Sequence, residues 1–456
     1  MQDSRNMQNV HALDLVKKAS FFVVLFLCVF IPVRSVLELY THSLIKIIPD
    51  LLVIALFIWY AVVIRFRFRF YVHDWLFLGF LLVAFVSSIF INKSGLMPFI
   101  FQVRSIGIYY ILYFVLRNLD FGKKEFVIVV SALQIISLVL LAFSVVEKIC
   151  SKTVLFPQAI ADGIIYASNF TRAYSLFFNP NTYAVFTVFV IFMSIVCRVI
   201  FSVKTSPIIY GCLFWALLLS MSRSGLIIAF IGLIAIGIFM LIKYKKKLPF
   251  KALGISLVIA GVIGYGGYTA TRWGAYQYHS HILQNSDKDN DTITGSIGMG
   301  VGDRLDDTMT SDEIINSNRN GRLFSLSKGL EIFREYPVLG TGFGTYGSAA
   351  SMNFKPALTD KYDLPFPFYS DMQYITILVE TGLVGALLFV GFLILILYKY
   401  RKDYIKIFFC ILFGWFGLFY NIFEVQIAAI LFWLLLSITD LTLQKEICTS
   451  EKRNNY

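Results

Sequence analysis

Apolar residues in this chain come in long runs with few charges rather than at amphipathic spacing. Twelve such runs occupy 20–37, 44–64, 75–91, 97–116, 125–146, 183–199, 207–221, 225–241, 253–269, 373–397, 405–419 and 425–441. Runs of about 20 residues span a hydrocarbon core about 30 Å thick as helices, the form in which every backbone polar group is satisfied internally. The pattern predicts an all-α, polytopic integral membrane protein of about twelve transmembrane helices. One polar segment of about 100 residues separates the ninth run from the tenth, which is long for a loop. The expected organisation is a tail over 1–19, helices 1–9 over 20–270, a large loop over 271–372, helices 10–12 over 373–443 and a second tail over 444–456.

The large loop is itself uneven. Its first half, with 286–292 and 295–319, is rich in Asp, Asn, Ser and Gly and has little periodicity. In its second half Leu323, Leu326, Leu330 and Phe333 recur at helical spacing until Pro337. This predicts a short amphipathic helix lying on the membrane or on the bundle, with Arg322 at its start.

Composition agrees: 58% of residues are hydrophobic and only 15% charged, against about 25% charged in soluble domains. Lys17, Lys18, Arg65, Arg67, Arg69, Arg117, Lys123, Lys124, Arg198, Lys204, Lys243, Lys245, Lys399, Arg401 and Lys402 fall on one side of the twelve-span layout. By the positive-inside rule that side is the cytoplasm, both termini are cytoplasmic and the large loop faces outward. The net charge of +12 is thereby a topological signal, and no nucleic-acid partner is implied. The first run follows Lys17 and Lys18 as in a signal peptide but has no small-residue cleavage site, so it reads as an uncleaved helix. Of six cysteines only Cys150 faces outward, which predicts no intramolecular disulfide there.

Several charges stand out against this background. Arg104 interrupts the fourth run, where an arginine costs roughly 2.5 to 3.5 kcal/mol unless it meets a partner or a water-filled cavity. Asp50 is a candidate partner, although Lys46 lies four residues before it. Arg223 stands in the Ser222-Arg223-Ser224-Gly225 turn and Arg172 precedes Phe178-Asn179-Pro180-Asn181. Several guanidinium forks at one boundary suit a diphosphate, and they also suit phospholipid headgroups or a purely interfacial anchor. Asp371 opens the tenth run as a candidate general base or as a helix cap, with Glu380 half a turn round the same helix.

Other motifs are less specific. Gly340-Thr341-Gly342-Phe343-Gly344 looks like a phosphate-cradling turn but follows no parallel strand. Asp287, Asp289 and Asp291 lack the glycine and glutamate of a calcium loop. His279 and His281 have no further ligands, so neither a metal nor a cofactor is expected.

Taken in order, Phe178-Asn179-Pro180-Asn181, Ser222-Arg223-Ser224-Gly225, Gly321-Arg322, Pro337 to Gly344 and Asp371 to Gly385 resemble the bacterial O-antigen ligase and O-antigen polymerase superfamily. In ligases of that family the last motif starts with His, then a small polar residue, nine residues, Gly, two residues and a final Gly, Thr or Tyr. Here Asp371 stands at the histidine, Met372 replaces the polar residue, and Gly382 and Gly385 match.

The resemblance implies a metal-independent, cofactor-free glycosyltransferase in the bacterial inner membrane. Its substrate would be an undecaprenyl-diphosphate-linked oligosaccharide, used on the periplasmic or extracellular face among membrane lipids. A chain-length regulator or a flippase would be its protein partner. Arg223 and Arg322 would contact the donor diphosphate and Asp371 would act as base, with Arg172, Arg104, Asn179, Asn181 and Gly342 binding substrate. Aspartate in place of histidine favours a surface-polysaccharide polymerase over a ligase. The alternatives are a ligase acting on a lipid or protein acceptor, and a flippase for the same lipid-linked sugars.

Overall fold

The computed structural model describes residues 2–41, 43–150, 152–155, 172–244, 250–283 and 321–439. The main helices are α1 (Gln2–Tyr40), α2 (Ile48–Val63), α3 (Val72–Val86), α4 (Leu96–Leu116), α5 (Lys123–Cys150), α6 (Pro180–Ile200), α7 (Pro207–Ser220), α8 (Arg223–Tyr244), α9 (Phe250–Leu283), α10 (Arg322–Glu335), α11 (Gln373–Lys399), α12 (Tyr404–Phe416) and α13 (Gln426–Ser437). Among the described residues the only β-pairing is an isolated bridge between Phe121 and Ile438. Every apolar run falls on a helix. Among the described residues eight helices are long and apolar enough to cross a membrane, and four more are apolar but shorter. The all-helical polytopic class is therefore as expected, while twelve crossings stays a proposal.

Local chemistry sets the helix starts. Proline occupies the first turn of α2, α6 and α7, where its missing N–H costs nothing. Asn179 caps α6 by accepting from the backbone N–H of Asn181 and Thr182 at 2.9 and 3.0 Å. Asp403 caps α12 through Ile405 and Lys406 in the same way.

One difference concerns α9, which continues to Leu283 past the expected end at residue 269. Its extension carries Trp273, 67% exposed, and Tyr276, 58% exposed, residue types that favour a membrane boundary. The large polar segment therefore begins as helix. Asp287, Asp289, Asp291 and 295–319 lie outside the described residues, as do the side chains of His279 and His281.

The chain forms two compact units. The first comprises Met1–Leu27, Ile47–Phe126 and Ser311–Tyr456, the second Cys28–Lys46 and Val127–Thr310. In the first, α3 packs along α11 and α4 along α13 through aromatic pairs. Phe77 meets Phe392 at 5.1 Å, Phe80 meets Phe389 at 5.2 Å, and Tyr113 meets Trp433 at 4.9 Å between ring centroids.

In the second unit α7 and α9 approach closely because each offers glycine to a bulky side chain of the other. A Cβ on Gly211 would lie 2.6 Å from Ile263, one on Gly264 2.4 Å from Phe214 and one on Gly267 2.5 Å from Trp215. Where lipid competes equally well for apolar side chains, such small-residue contacts drive association through packing.

The helix expected after Arg322 is present as α10, but its inward face is not the leucine stripe. Ser325, Gly329 and Ile332 are buried, whereas Leu323 and Leu330 are exposed. A Cβ on Gly329 would lie 2.5 Å from Ile375 of α11, so small residues let the two helices touch. The exposed leucines lie on the other face of α10.

Candidate functional site

In the first unit the Gly340–Gly344 motif is wedged between two helix irregularities. Helix α3 ends in a π-helical turn, Ser87–Ile91, and α11 is kinked at Gly382, with φ 64° and ψ −166°. The kink frees backbone groups, and the Pro337–Gly342 segment takes them up. Leu383 and Val384 N–H donate to the carbonyls of Pro337 and Val338 at 2.8 and 3.1 Å, while Thr341 and Gly342 N–H donate to those of Val379 and Glu380 at 2.9 and 2.8 Å. From the α3 side, Ser87 Oγ and Asn92 Nδ2 donate to the Gly340 carbonyl at 3.1 and 2.9 Å, and Phe343 N–H donates to Ser88 Oγ at 2.7 Å.

This explains two glycines directly. A Cβ on Gly340 would stand 2.4 Å from the Gly382 nitrogen, and one on Gly382 2.4 Å from the Val338 oxygen. The motif resembling a phosphate cradle is thus a backbone seam. Gly342 belongs to it, its Cα facing Ser88 so closely that a Cβ would come within 2.8 Å of the Ser88 Cα.

Two carboxylates brace the turn that follows. Glu380, 1% exposed, accepts from the N–H of Thr345 and Tyr346 at 3.0 Å each and from Ser348 Oγ at 2.8 Å. Glu424 lies in the connection between α12 and α13 and accepts from Gln102 Nε2 at 2.6 Å, Ala349 N–H at 2.9 Å and the Tyr369 hydroxyl at 3.1 Å. Loss of solvent pushes the Glu424 carboxyl up to about 7 despite these donors.

Asp371 rests on this frame. Ser370 N–H donates to the Gly347 carbonyl at 3.0 Å, Asn421 Nδ2 donates to the same carbonyl at 2.7 Å, and Ser370 Oγ meets Thr376 Oγ1 at 2.5 Å. Asp371 itself has φ 52°, a left-handed conformation that Asp tolerates better than most residues. It does not cap α11. The cap position is Met372, with no side-chain cap bond, so Asp371 sits one residue outside, partly exposed.

Arg322 is anchored to the same support. Its Nη2 donates to the Phe419 carbonyl at 3.2 Å, and its guanidinium lies 5.5 and 5.6 Å from the ring centroids of Phe419 and Tyr420. Gln373, two residues after Asp371, donates its N–H to the neighbouring Gly417 carbonyl at 3.0 Å and accepts from Phe423 N–H at 3.1 Å. The turn after α12 therefore holds both Arg322 and the start of α11. Among the described residues Arg322 has no ion-pair partner, and its buried Nε makes no hydrogen bond.

Arg104, in the same unit, pairs through Nε with Asp50. Lys46 is engaged by Glu38 at 2.5 Å.

In the second unit Arg172, Asn179, Asn181 and Arg223 gather around the turn between α7 and α8. Arg172 is 5% exposed; its Nε donates to the Ser220 carbonyl at 3.0 Å and its Nη2 to Asn181 Oδ1. Ser222 Oγ reaches the same Asn181 oxygen at 3.4 Å. Lys152 Nζ donates to the Arg172 carbonyl at 2.5 Å and lies 3.1 Å from Glu147. Arg172 and Asn181 thus hold up the turn, and Arg223, the first residue of α8, is the partly exposed charge upon it. Gly225 lets α8 meet α6, since its Cβ would lie 2.8 Å from that of Ala184.

Gln102, Tyr369, Asn421 and Glu424 were not singled out from the sequence. Gln102 and Glu424 carried a legible signal, being polar groups in or beside apolar runs. Among the described residues no three His, Cys, Asp or Glu side chains gather as a metal would need.

Helices and site together define a multi-pass membrane protein whose polar cap is locked onto a kinked helix. The O-antigen ligase family model matches residues 208–390, from α7 into α11, taking in Arg223, Arg322, Gly342 and Asp371. The match supports the O-antigen ligase and polymerase superfamily expected from the motifs. No curated protein and no solved structure matched.

Proposed function

We propose that this protein is a polymerase of surface polysaccharide in a bacterial inner membrane. It transfers a growing glycan from an undecaprenyl-diphosphate carrier to a sugar hydroxyl of another carrier-linked repeat unit. The observation that carries the reading is Asp371, a partly exposed carboxylate in a braced left-handed turn, where the family's ligases have histidine. The carboxylate takes the acceptor hydroxyl's proton as that oxygen attacks the anomeric carbon, and the bond from that carbon to the diphosphate breaks. A single displacement of this kind inverts the anomeric centre. Negative charge grows on the leaving diphosphate, where a fixed guanidinium lowers the barrier more than it strengthens ground-state binding.

Arg322 fills that role in this reading, its planar group pre-oriented by Phe419 and Tyr420; Arg223 is a second diphosphate contact on the strength of the resemblance. Lysine keeps the charge but loses the fork. Arg322→Lys and Arg223→Lys should each lower transfer about ten- to a hundredfold, measured as initial rate with a lipid-diphosphate repeat unit. Parent-like rates in both would remove the diphosphate role.

The ligase reading is favoured by the matched family's description, and products separate the two. Purified protein given only the carrier-linked repeat unit should generate a ladder of lengthening products. In cells lacking the protein, surface glycans should stop at one repeat unit. Full-length chains stranded on the carrier would identify a ligase instead, and complete, correctly attached polymer would exclude both.

Orientation is a separate expectation from the Lys and Arg asymmetry. An impermeant thiol reagent should label a cysteine at exposed Phe366 in intact cells, and one at exposed Lys402 only after permeabilisation. The opposite result would put Asp371 on the wrong side for this chemistry.

A further inference from the structure

Helices α2, α3 and α4 do not close on one another. Between them lies a cleft of about 710 Å³ walled mainly by Leu51, Phe57, Phe70, Phe77, Phe99 and Phe114. Leu51 at 59%, Leu78 at 43% and Ile100 at 49% exposure form its rim, so it opens sideways. All three helices are long and apolar enough to cross a membrane, so a sideways opening between them suits a hydrocarbon occupant.

Two features point to a particular chain. At one end stands Arg104, whose Nε is held by Asp50 and whose guanidinium lies 5.4 Å from the Phe101 ring centroid. Among the described residues its terminal Nη groups donate to no protein acceptor, which leaves the paired edge of the guanidinium for phosphate oxygens. One turn further along α4 is Gly107, which lines the cleft and whose Cβ would meet nothing within 4 Å. A glycine inside a helix costs about 1 kcal/mol relative to alanine, and no neighbour here requires one. What it preserves is the cleft.

We infer that the α2–α3–α4 cleft seats the diphosphate-proximal isoprene units of the polyprenyl carrier, with Arg104 gripping the carrier's phosphate. This rests on the carrier being the substrate, as proposed above. The largely aromatic wall suits a methyl-branched, unsaturated chain, which presents flat units to ring faces. From Arg104 to Phe114 the cleft follows α4 for about 15 Å, room for a few such units.

Binding of a polyprenyl diphosphate to the purified full-length protein, followed by native mass spectrometry with phosphatidylglycerol as competitor, tests the inference without turnover. Gly107→Leu, which narrows the cleft beside Arg104, should weaken binding about tenfold or more, and Gly107→Ala much less. Arg104→Gln should weaken binding of the diphosphate while leaving the uncharged polyprenol unaffected. Undiminished binding by Gly107→Leu would overturn the inference, and so would equal displacement by phosphatidylglycerol, which would make the cleft a general lipid site. If Gly107→Leu fails to fold, a photoactivatable polyprenyl diphosphate should crosslink to α2, α3 or α4, and crosslinks confined elsewhere would be equally fatal. Gly107-sensitive binding in a protein that transfers no sugar would sink the enzymatic reading and leave the cleft assignment standing.

Discussion

Asp371→Asn should lower glycan transfer about a hundredfold or more, within the range lost when a general base is removed, with its level in the membrane unchanged. The variant isolates basicity because the backbone there has φ 52°, and Asn tolerates the left-handed region as well as Asp does. Hydrogen bonds among Ser370, Gly347 and Asn421 hold the turn in which Asp371 sits. Initial rates with a lipid-linked repeat unit, read beside thermal unfolding of the same preparation, make the measurement. Parent-like turnover would end the general-base role.

Gly382→Ala should leave little correctly folded protein. At φ 64° and ψ −166° residue 382 occupies a region open essentially to glycine alone, with a penalty of about 1–3 kcal/mol for another residue. The added methyl would also meet the Val338 oxygen at 2.4 Å and the Gly340 nitrogen at 2.5 Å, both backbone atoms that cannot rotate away. Relief would require parting the seam and breaking the bonds between Leu383 and Pro337 and between Thr341 and Val379. Gly266→Ala is the contrast. It lies in α9 with nothing within 4 Å of its Cβ, so it should be neutral or stabilising by up to about 1 kcal/mol. Thermal unfolding and size-exclusion of the two variants would decide the matter, and a Gly382→Ala protein as stable as the parent would mean that the seam yields.

The two glycine changes also mark the limits of reading a sequence. Gly340, Gly342 and Gly344 were visible as a motif like a phosphate-cradling turn, and Gly382 and Gly385 as the spacing of a family motif. The structure gives Gly340 and Gly382 a different task, a contact between two backbones about 40 residues apart in sequence. Glu380 has a similar history. One-dimensional geometry put it half a turn away from Asp371, but only the fold turns its carboxylate toward the N–H groups of Thr345 and Tyr346.

The amphipathic helix after Arg322 was legible as a period of 3.6 residues, yet its inward face was not. Periodicity ranks residues by apolarity, whereas close helix contact in a membrane selects small ones, here Ser325 and Gly329.

By itself, then, the sequence determined the class: runs of apolar residues of bilayer length admit only helices, because lipid offers backbone groups no other partner. It also determined which charges were anomalous, Arg104 among them, since an arginine in such a run needs a reason. Tertiary structure alone decided the partners. Arg104 pairs with the candidate Asp50 and Lys46 with Glu38, and the turn after α12 carries both Arg322 and the start of α11. Hydrogen bonds and ion pairs act over about 3 Å, and which groups come that close is set by how helices far apart in sequence pack, a property no local pattern encodes.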